Sequence, residues 1–287
     1  MDGWTRTVRL LPEAWRKQLA QRNSENTEEI RLRAGQLPTL LCGENEQVFS
    51  DRVCREEDLM LVLEKASGAS FHTVRDMLRE CYLCADGVRI GVCGSLLGPE
   101  QGGFRRVSSL ALRVPRECRG IARELLPALR ENRRGGTLLL SPPGGGKTTL
   151  LRECIRCLSN GGLRVAAADE RRELSGTDGG AEGFDLGCRT DLLTGCEKAT
   201  GAMLLLRSMN PQLIAMDEIS SGRDLEAVKQ IAGCGVGLLA TAHGESIAQM
   251  RLRPLYRELL DMGIFQLAVR IERLGSERRY TLERLLV

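Results

Sequence analysis

The chain has 287 residues, 41 Lys and Arg against 38 Asp and Glu, and a formal net charge of +3. That near-balance gives no basic footprint for nucleic acid, and an aromatic content of 3% leaves few rings for stacking on bases. No run of eighteen apolar residues occurs, so no membrane-spanning helix is expected; the start, Met1 to Arg6, lacks an apolar signal core, and the expectation is a cytosolic chain.

The length fits one large or two medium domains with ample core. Only five residues are lysine, so the positive charge is almost all arginine, a side chain suited to phosphates. The eleven cysteines are an odd number with no disulfide-framework spacing. Two Cys-x-x-Cys pairs, Cys81/Cys84 and Cys154/Cys157, lie about seventy residues apart, far beyond zinc-ribbon spacing. They read as reduced thiols packed as small hydrophobes.

Residues 1–115 read as an α+β domain. Strands are expected at Glu29–Arg33 and Leu37–Leu41 around the Ala34-Gly35-Gln36 turn, and helices at Glu57–Ala69 and Arg75–Tyr82. Further strands are expected at Gly87–Gly94 and Ser108–Val114, with a flexible loop, Gly98–Gly103, between them. Residues 116–130 read as a helical connector. Residues 131–287 then alternate apolar strands with helices, the signature of a parallel sheet covered by helices. The strands are expected at 137–141, 163–169, 212–217 and 236–241. The helices are expected at 147–158, 198–209, 223–233 and 246–260, the last disturbed at Pro254. Ser175–Gly187 is a long glycine-rich loop of the kind that is usually functional. Strict alternation over Phe265–Arg273, a Gly275-Ser276 turn and Tyr280–Leu285 predict an antiparallel hairpin.

Ser141-Pro142-Pro143-Gly144-Gly145-Gly146-Lys147-Thr148-Thr149 follows an apolar strand and opens a helical pattern. This is the strand–loop–helix setting of a phosphate-binding P-loop. Glycines let backbone N–H groups converge on a phosphate. The helix N-terminus adds unpaired donors and a favourable dipole. Lys147 can reach the β- and γ-phosphates and the Thr148 hydroxyl can hold Mg²⁺. The usual opening glycine is replaced by Ser141. Leu213–Glu218 is an apolar strand ending in Asp217 and Glu218. Beside a P-loop, one acid helps to hold Mg²⁺ and a second can polarise the attacking water.

Three further segments complete the pattern: Asp169-Glu170-Arg171-Arg172-Glu173 after the second strand, Leu206–Ile219 through the third, and Leu239-Ala240-Thr241-Ala242-His243-Gly244 ending the fourth. Together they resemble the secretion ATPase superfamily, the hexameric motors of type II and type IV secretion and pilus retraction. Those motors carry a P-loop, an acidic box, an acid-tipped strand and a histidine box in this order. Within the superfamily the chain resembles a sporulation-associated branch through its Ser-Pro-Pro opening, its Asp-Glu-Arg-x-Glu box, Arg189-Thr190-Asp191 and Asp-Glu-Ile. The resemblance covers about 75–287, and 1–115 matches more loosely as a small domain stacked on the motor.

The resemblance implies an α/β fold with a RecA-like P-loop ATPase domain at 131–287. It implies ATP hydrolysis with Mg²⁺ and catalytic roles for Glu218, Glu173 and Lys147. Pro143, Gly144, Gly145, Gly146, Lys147, Thr148, Thr149, Asp217 and His243 would bind the nucleotide, with Thr148 and Asp217 on the metal. Asp169 and Glu170 match the start of the acidic box, and His243 matches a residue that senses the γ-phosphate. It also implies a homo-oligomer, hexameric in that superfamily, and a membrane-anchored channel or assembly protein as partner. The setting would be the inner face of a membrane, in the mother cell of a sporulating bacterium. Two departures stand out: Ser220 where glycine is expected, and Arg171-Arg172 where many of these motors have proline and an apolar residue.

Other readings of the same residues are blander. The acidic box could cap a helix, and His243 could be a packed strand-end residue. Arg189 and Arg207 could act in trans on a neighbouring subunit's site, but single arginines are usually surface or salt-bridge residues. A RecA-class nucleic-acid-handling ATPase is the alternative function; it needs basic loops and salt-dependent binding. A cassette transporter ATPase would need Ser-Gly-Gly-Gln just before the acid-tipped strand, and Leu174-Ser175-Gly176-Thr177 lies about forty residues too early. A GTPase would need an Asn-Lys-x-Asp segment, which does not occur.

Overall fold

The computed structural model describes residues 2–20, 27–43, 45–68, 81–97, 103–176, 183–274 and 277–285. The chain divides into two compact units, Met1–Glu117 and Cys118–Val287.

The first unit opens with two short helices that the sequence expectations omitted. α1 (Gly3–Leu10) is capped by Asp2, whose carboxylate accepts from the Thr5 N–H at 2.7 Å. α2 (Glu13–Leu19) starts directly after Pro12. Trp4, Val8, Leu11, Trp15 and Leu19 recur at helical spacing and are all buried. Pro12 interrupts that pattern and hides it in the sequence. β1 (Glu29–Arg33), β2 (Thr39–Cys42) and β3 (Asn45–Val48) lead into α3 (Glu56–Ala66), followed by β4 (Tyr82–Ala85), β5 (Val88–Leu96) and β6 (Phe104–Arg113). They form a six-stranded sheet in the order β3-β2-β1-β6-β5-β4, antiparallel throughout. β3 was not foreseen because all four of its residues are exposed. Tyr82, expected to end a helix, belongs to β4 instead. Cys81, also expected in that helix, lies in a turn with φ of 59°; residues 75–80 lie outside the described residues, as do 98–102 of the expected flexible loop.

The second unit begins with turns. Of the stretch expected to be a helical connector, only α4 (Leu126–Glu131) is α-helix. Ala122, Leu125 and Leu129 are buried in the unit's core. The elements that follow are β7 (Gly136–Ser141), α5 (Lys147–Asn160), β8 (Val165–Asp169), β9 (Thr190–Thr194), α6 (Lys198–Ser208), β10 (Leu213–Met216), α7 (Gly222–Gly233), β11 (Gly237–His243), α8 (Ile247–Met250), α9 (Pro254–Asp261), β12 (Phe265–Leu274) and β13 (Glu277–Arg284). The sheet order is β13-β12-β7-β11-β10-β8-β9. Every neighbouring pair is parallel except the β12–β13 hairpin.

Alternate residues of the central strands feed two separate cores. Leu138, Leu140, Ile214, Met216, Leu238 and Ala240 join α6, α7 and α9 on one face. Leu139, Leu213, Ala215 and Leu239 join α4 and α5 on the other. This two-faced burial explains why the strands read as continuous apolar runs. The expected helix at 246–260 is two helices, because Arg251–Arg253 turn before Pro254, which takes the first position of α9. β9 follows the glycine-rich loop expected at Ser175–Gly187, of which 177–182 lie outside the described residues; the sequence expectations omit it because it is an edge strand with every residue half-buried.

Candidate functional site

The site gathers where β7, β10 and β11 end, the edge at which open α/β sheets bind ligands. The P-loop leaves β7 at Ser141 and turns into α5. Gly144 and Gly146 have φ of 72° and 99°, left-handed values that side chains disfavour. Gly145 is required for a different reason. A Cβ there would lie 2.2 Å from Ser141 Oγ. Ser141 is itself fully buried, and its hydroxyl donates to the Pro142 carbonyl at 2.9 Å. Serine fits the loop's first position because the residue above it has no side chain.

Lys147 is the first residue of α5 and is buried. Its Nζ donates to the carbonyls of Ser141 at 3.1 Å and Pro142 at 3.2 Å. It also lies 2.9 Å from His243 Nδ1. With Lys147 donating, Nδ1 accepts, which places the ring proton on Nε2. That nitrogen is 3.1 Å from Glu218 Oε1 and donates to it. Lys147, His243 and Glu218 thus form one continuous chain. Burial pushes the Lys147 ammonium below its ordinary pKa, with Asp217 and Glu218 opposing the shift.

A second chain runs beside the first. Thr148 Oγ1 donates to Asp217 Oδ2 at 2.8 Å, and Thr241 Oγ1 donates to Asp217 Oδ1 at 2.6 Å. The Thr241 hydroxyl in turn accepts the Glu218 N–H at 2.7 Å. Glu218 has φ of 56°, a strained backbone for a residue with a side chain. It persists because its surroundings hold it: the Ile219 N–H bonds the Thr241 carbonyl at 2.8 Å, and the Tyr256 hydroxyl donates to the Ile219 carbonyl at 3.1 Å. The outer carboxylate oxygen, Oε2, lies 3.7 Å from the Arg171 guanidinium.

The acidic box is divided in its partners. Asp169, buried at the end of β8, accepts from the Leu174 N–H at 3.1 Å and from the Ser175 N–H and hydroxyl at 2.8 Å each. Its carboxylate closes the turn over 170–175; no helix starts there, so the helix-cap reading does not describe it. Burial raises its pKa above the ordinary 3.8 against the pull of those bonds. Glu170 is exposed and accepts from the Lys198 N–H at 3.3 Å, at the start of α6. Glu173 is half-buried within the turn. The structure therefore brings Lys147, Thr148, Asp217, Glu218 and His243 into one network. Arg189 lies outside it, with its guanidinium on the Gly162 carbonyl at 3.0 Å, and Arg207 is exposed on α6.

Two residues that touch the network carry no role in the sequence reading, Thr241 and Arg171. Thr241 left a signal: it is a fully buried hydroxyl inside an otherwise apolar strand, and such a group needs partners. Thr148 and Asp217 offer hard oxygen donors at 2.8 Å from each other, which fits Mg²⁺. Among the described residues no cluster of three or more His, Cys, Asp or Glu could hold a metal unaided. Two protein oxygens completed by phosphate and water are the usual arrangement for Mg²⁺.

A mainly parallel sheet with a P-loop on the inner strand β7, and acids and a histidine at the ends of β10 and β11 on one side of it, defines a RecA-like P-loop protein. The fold is similar to that of the Legionella pneumophila ATPase DotB, with a TM-score of 0.61 and 16% identity over 90% of this chain and 76% of that one. It is likewise similar to the pilus retraction motor PilT, whose structure holds bound ADP, with a TM-score of 0.64 and 18% identity over 91% and 80%. The family described as sporulation stage III, protein AA matches residues 3–279, and the chain belongs to it. Stage III sporulation protein AA of Bacillus subtilis is 32% identical over 275 residues, 92% of this chain and 89% of that one.

Proposed function

We propose that the chain is an ATPase that hydrolyses ATP to ADP and phosphate and works as a homo-oligomeric ring, serving a membrane-anchored channel or assembly protein of a sporulating cell. The observation that carries the catalytic part is the pair of parallel hydrogen-bond chains, Lys147–His243–Glu218 and Thr148–Asp217–Thr241, converging at the mouth of the P-loop.

The residues divide the work by position. Lys147 and the backbone N–H groups at the start of α5 neutralise phosphate charge. Lys147 must leave His243 to do so, which releases the imidazole to face the terminal phosphate. Thr148 and Asp217 would hold Mg²⁺, which when bound offsets the charge on the β- and γ-phosphates. Glu218, at the strained strand tip, orients a water and takes its proton as the water oxygen bonds to the γ-phosphorus and the bond to the bridging oxygen breaks. Glu173 and Arg171, on the acidic-box turn, complete the charge pattern around that point. A fixed P-loop hydrolyses slowly until a neighbour or a moving element completes the stabilisation, and a ring supplies such a neighbour.

The test is phosphate release by the purified protein with ATP and Mg²⁺, alongside light scattering with and without nucleotide. ATP-dependent phosphate release that Lys147→Ala removes, together with a hexameric mass, supports the reading. No release from a protein that is folded and assembled sinks the catalytic part. A monomer under all conditions sinks the ring.

A further inference from the structure

The P-loop strand β7 has a different neighbour on each side. Towards β11 and β10 lie His243, Asp217 and Glu218, the groups proposed to face the terminal phosphate. Towards β12 and β13 lies a hairpin that the proposed chemistry leaves unused.

That hairpin segregates its charges by face. Residues directly opposite each other across an antiparallel pair point to the same side. The pairs Val269–Leu282, Ile271–Tyr280 and Arg273–Arg278 therefore share one face. Val269 and Ile271 are buried in the α5 core, and Tyr280 and Leu282 pack against it. The same face continues towards the hairpin tip as Arg273 and Arg278. The acids Glu272, Glu277 and Glu283 all register on the opposite face, where Glu272 and Glu283 pair with Arg270 at 3.1 and 3.4 Å. The α5-facing side of the tip thus carries two arginines and no acid of its own strands. Arg278 is half-buried there although it stands next to the turn. Its Nε lies 3.7 Å from where a Cβ of Gly146 would be, and Gly146 is the N-cap of α5.

We propose that Arg278 is a nucleotide-binding residue that holds the phosphates common to ATP and ADP from the side of the P-loop opposite Glu218 and His243. This rests on the nucleotide reading above and deepens it. An α5 N-terminus placed for phosphate puts the anion within reach of a guanidinium resting on its capping glycine. Because the terminal phosphate lies towards β11 and β10 in that reading, the remainder of the nucleotide extends towards β12. Arg278 then meets the α- and β-phosphates and has no means of distinguishing ATP from ADP.

The experiment is a titration of the full chain with fluorescent ADP and fluorescent ATP in the presence of Mg²⁺. The variants are Arg278→Ala, Arg278→Gln, and Arg279→Ala on the opposite face, with melting curves to confirm folding. Arg278→Ala should weaken both nucleotides by the same factor, roughly tenfold, as for a lost charge-assisted bond. Arg279→Ala should bind like the wild type. If Arg278→Ala does not fold, Arg278→Gln, which keeps the stem over Gly146, carries the same expectation. Unchanged affinity for both nucleotides overturns the proposal. So does a loss confined to ATP, which would place Arg278 at the terminal phosphate, and so does an equal loss in Arg279→Ala. Failure of the wild type to bind either nucleotide sinks the ATPase reading itself, an outcome distinct from wild-type binding that Arg278→Ala leaves intact.

Discussion

The Thr241 hydroxyl binds Asp217 and Glu218 together: it donates to Asp217 Oδ1 at 2.6 Å and accepts the Glu218 N–H at 2.7 Å. One buried hydroxyl on β11 therefore fixes both acids at the tip of β10, including the left-handed backbone of Glu218. Thr241→Val keeps the shape and removes the hydroxyl, leaving a buried N–H and a carboxylate oxygen short of a partner. The expected loss of stability is on the order of 1–3 kcal/mol, read by urea denaturation, with slower ATP turnover. Thr241→Ser should restore most of both. Wild-type turnover in Thr241→Val would mean that the acids hold their positions without this bond.

Lys147→Ala removes the ammonium at the mouth of the P-loop. Nucleotide affinity should fall about a hundredfold or more, given the strength of bonds to charged groups, as read by titration with a fluorescent ATP analogue. His243 loses its Nδ1 partner at the same time. Unchanged affinity would show that the nucleotide, if bound, lies elsewhere.

The second unit was legible in the sequence because its signals are local and redundant. β7, β10 and β11 are apolar runs buried on both faces, and the glycines of the P-loop announce the turn before α5. What escaped was set by tertiary context. β9 pairs with β8 through Thr190–Thr194, but an edge strand with no fully buried residue has little periodicity to read. β3 is exposed along its whole length for the same reason. In the site, Lys147 and Glu218 are separated by 71 positions in the chain, and nothing in the sequence announced that His243 would bridge them. The acidic box looked like one motif, yet Asp169 spends its carboxylate on Leu174 and Ser175, while Glu170 reaches α6.

Glu218→Gln keeps the side chain's shape and a hydrogen-bonding oxygen while removing the charge proposed to take a proton from water. ATP should still bind, and single-turnover hydrolysis should slow by roughly 10²–10⁴-fold, the range for losing a general base. A wild-type single-turnover rate would transfer that role to Glu173, the other half-buried glutamate proposed for the site.

Asp169 gives a prediction with a definite sign in pH. Its carboxylate accepts three hydrogen bonds, from the Leu174 N–H and from both the N–H and the hydroxyl of Ser175. Each bond favours the anion, but burial outweighs them and lifts the folded-state pKa above 3.8. At this position the folded chain therefore holds a proton more often than the unfolded chain between 3.8 and the raised value. Stability from this group then falls as pH climbs through that window and is level above it. Asp169→Asn does not titrate at this position. It also turns an amide NH₂ towards a donor, so some loss is expected at every pH. The advantage of wild type over Asp169→Asn should therefore be largest in acid and shrink as pH rises through the window, measured by urea unfolding at a series of pH values. An advantage that grows with pH would mean that the three hydrogen bonds outweigh burial. The turn carrying Glu170, Arg171 and Glu173 would then be held by a stable anion, and acid would loosen it.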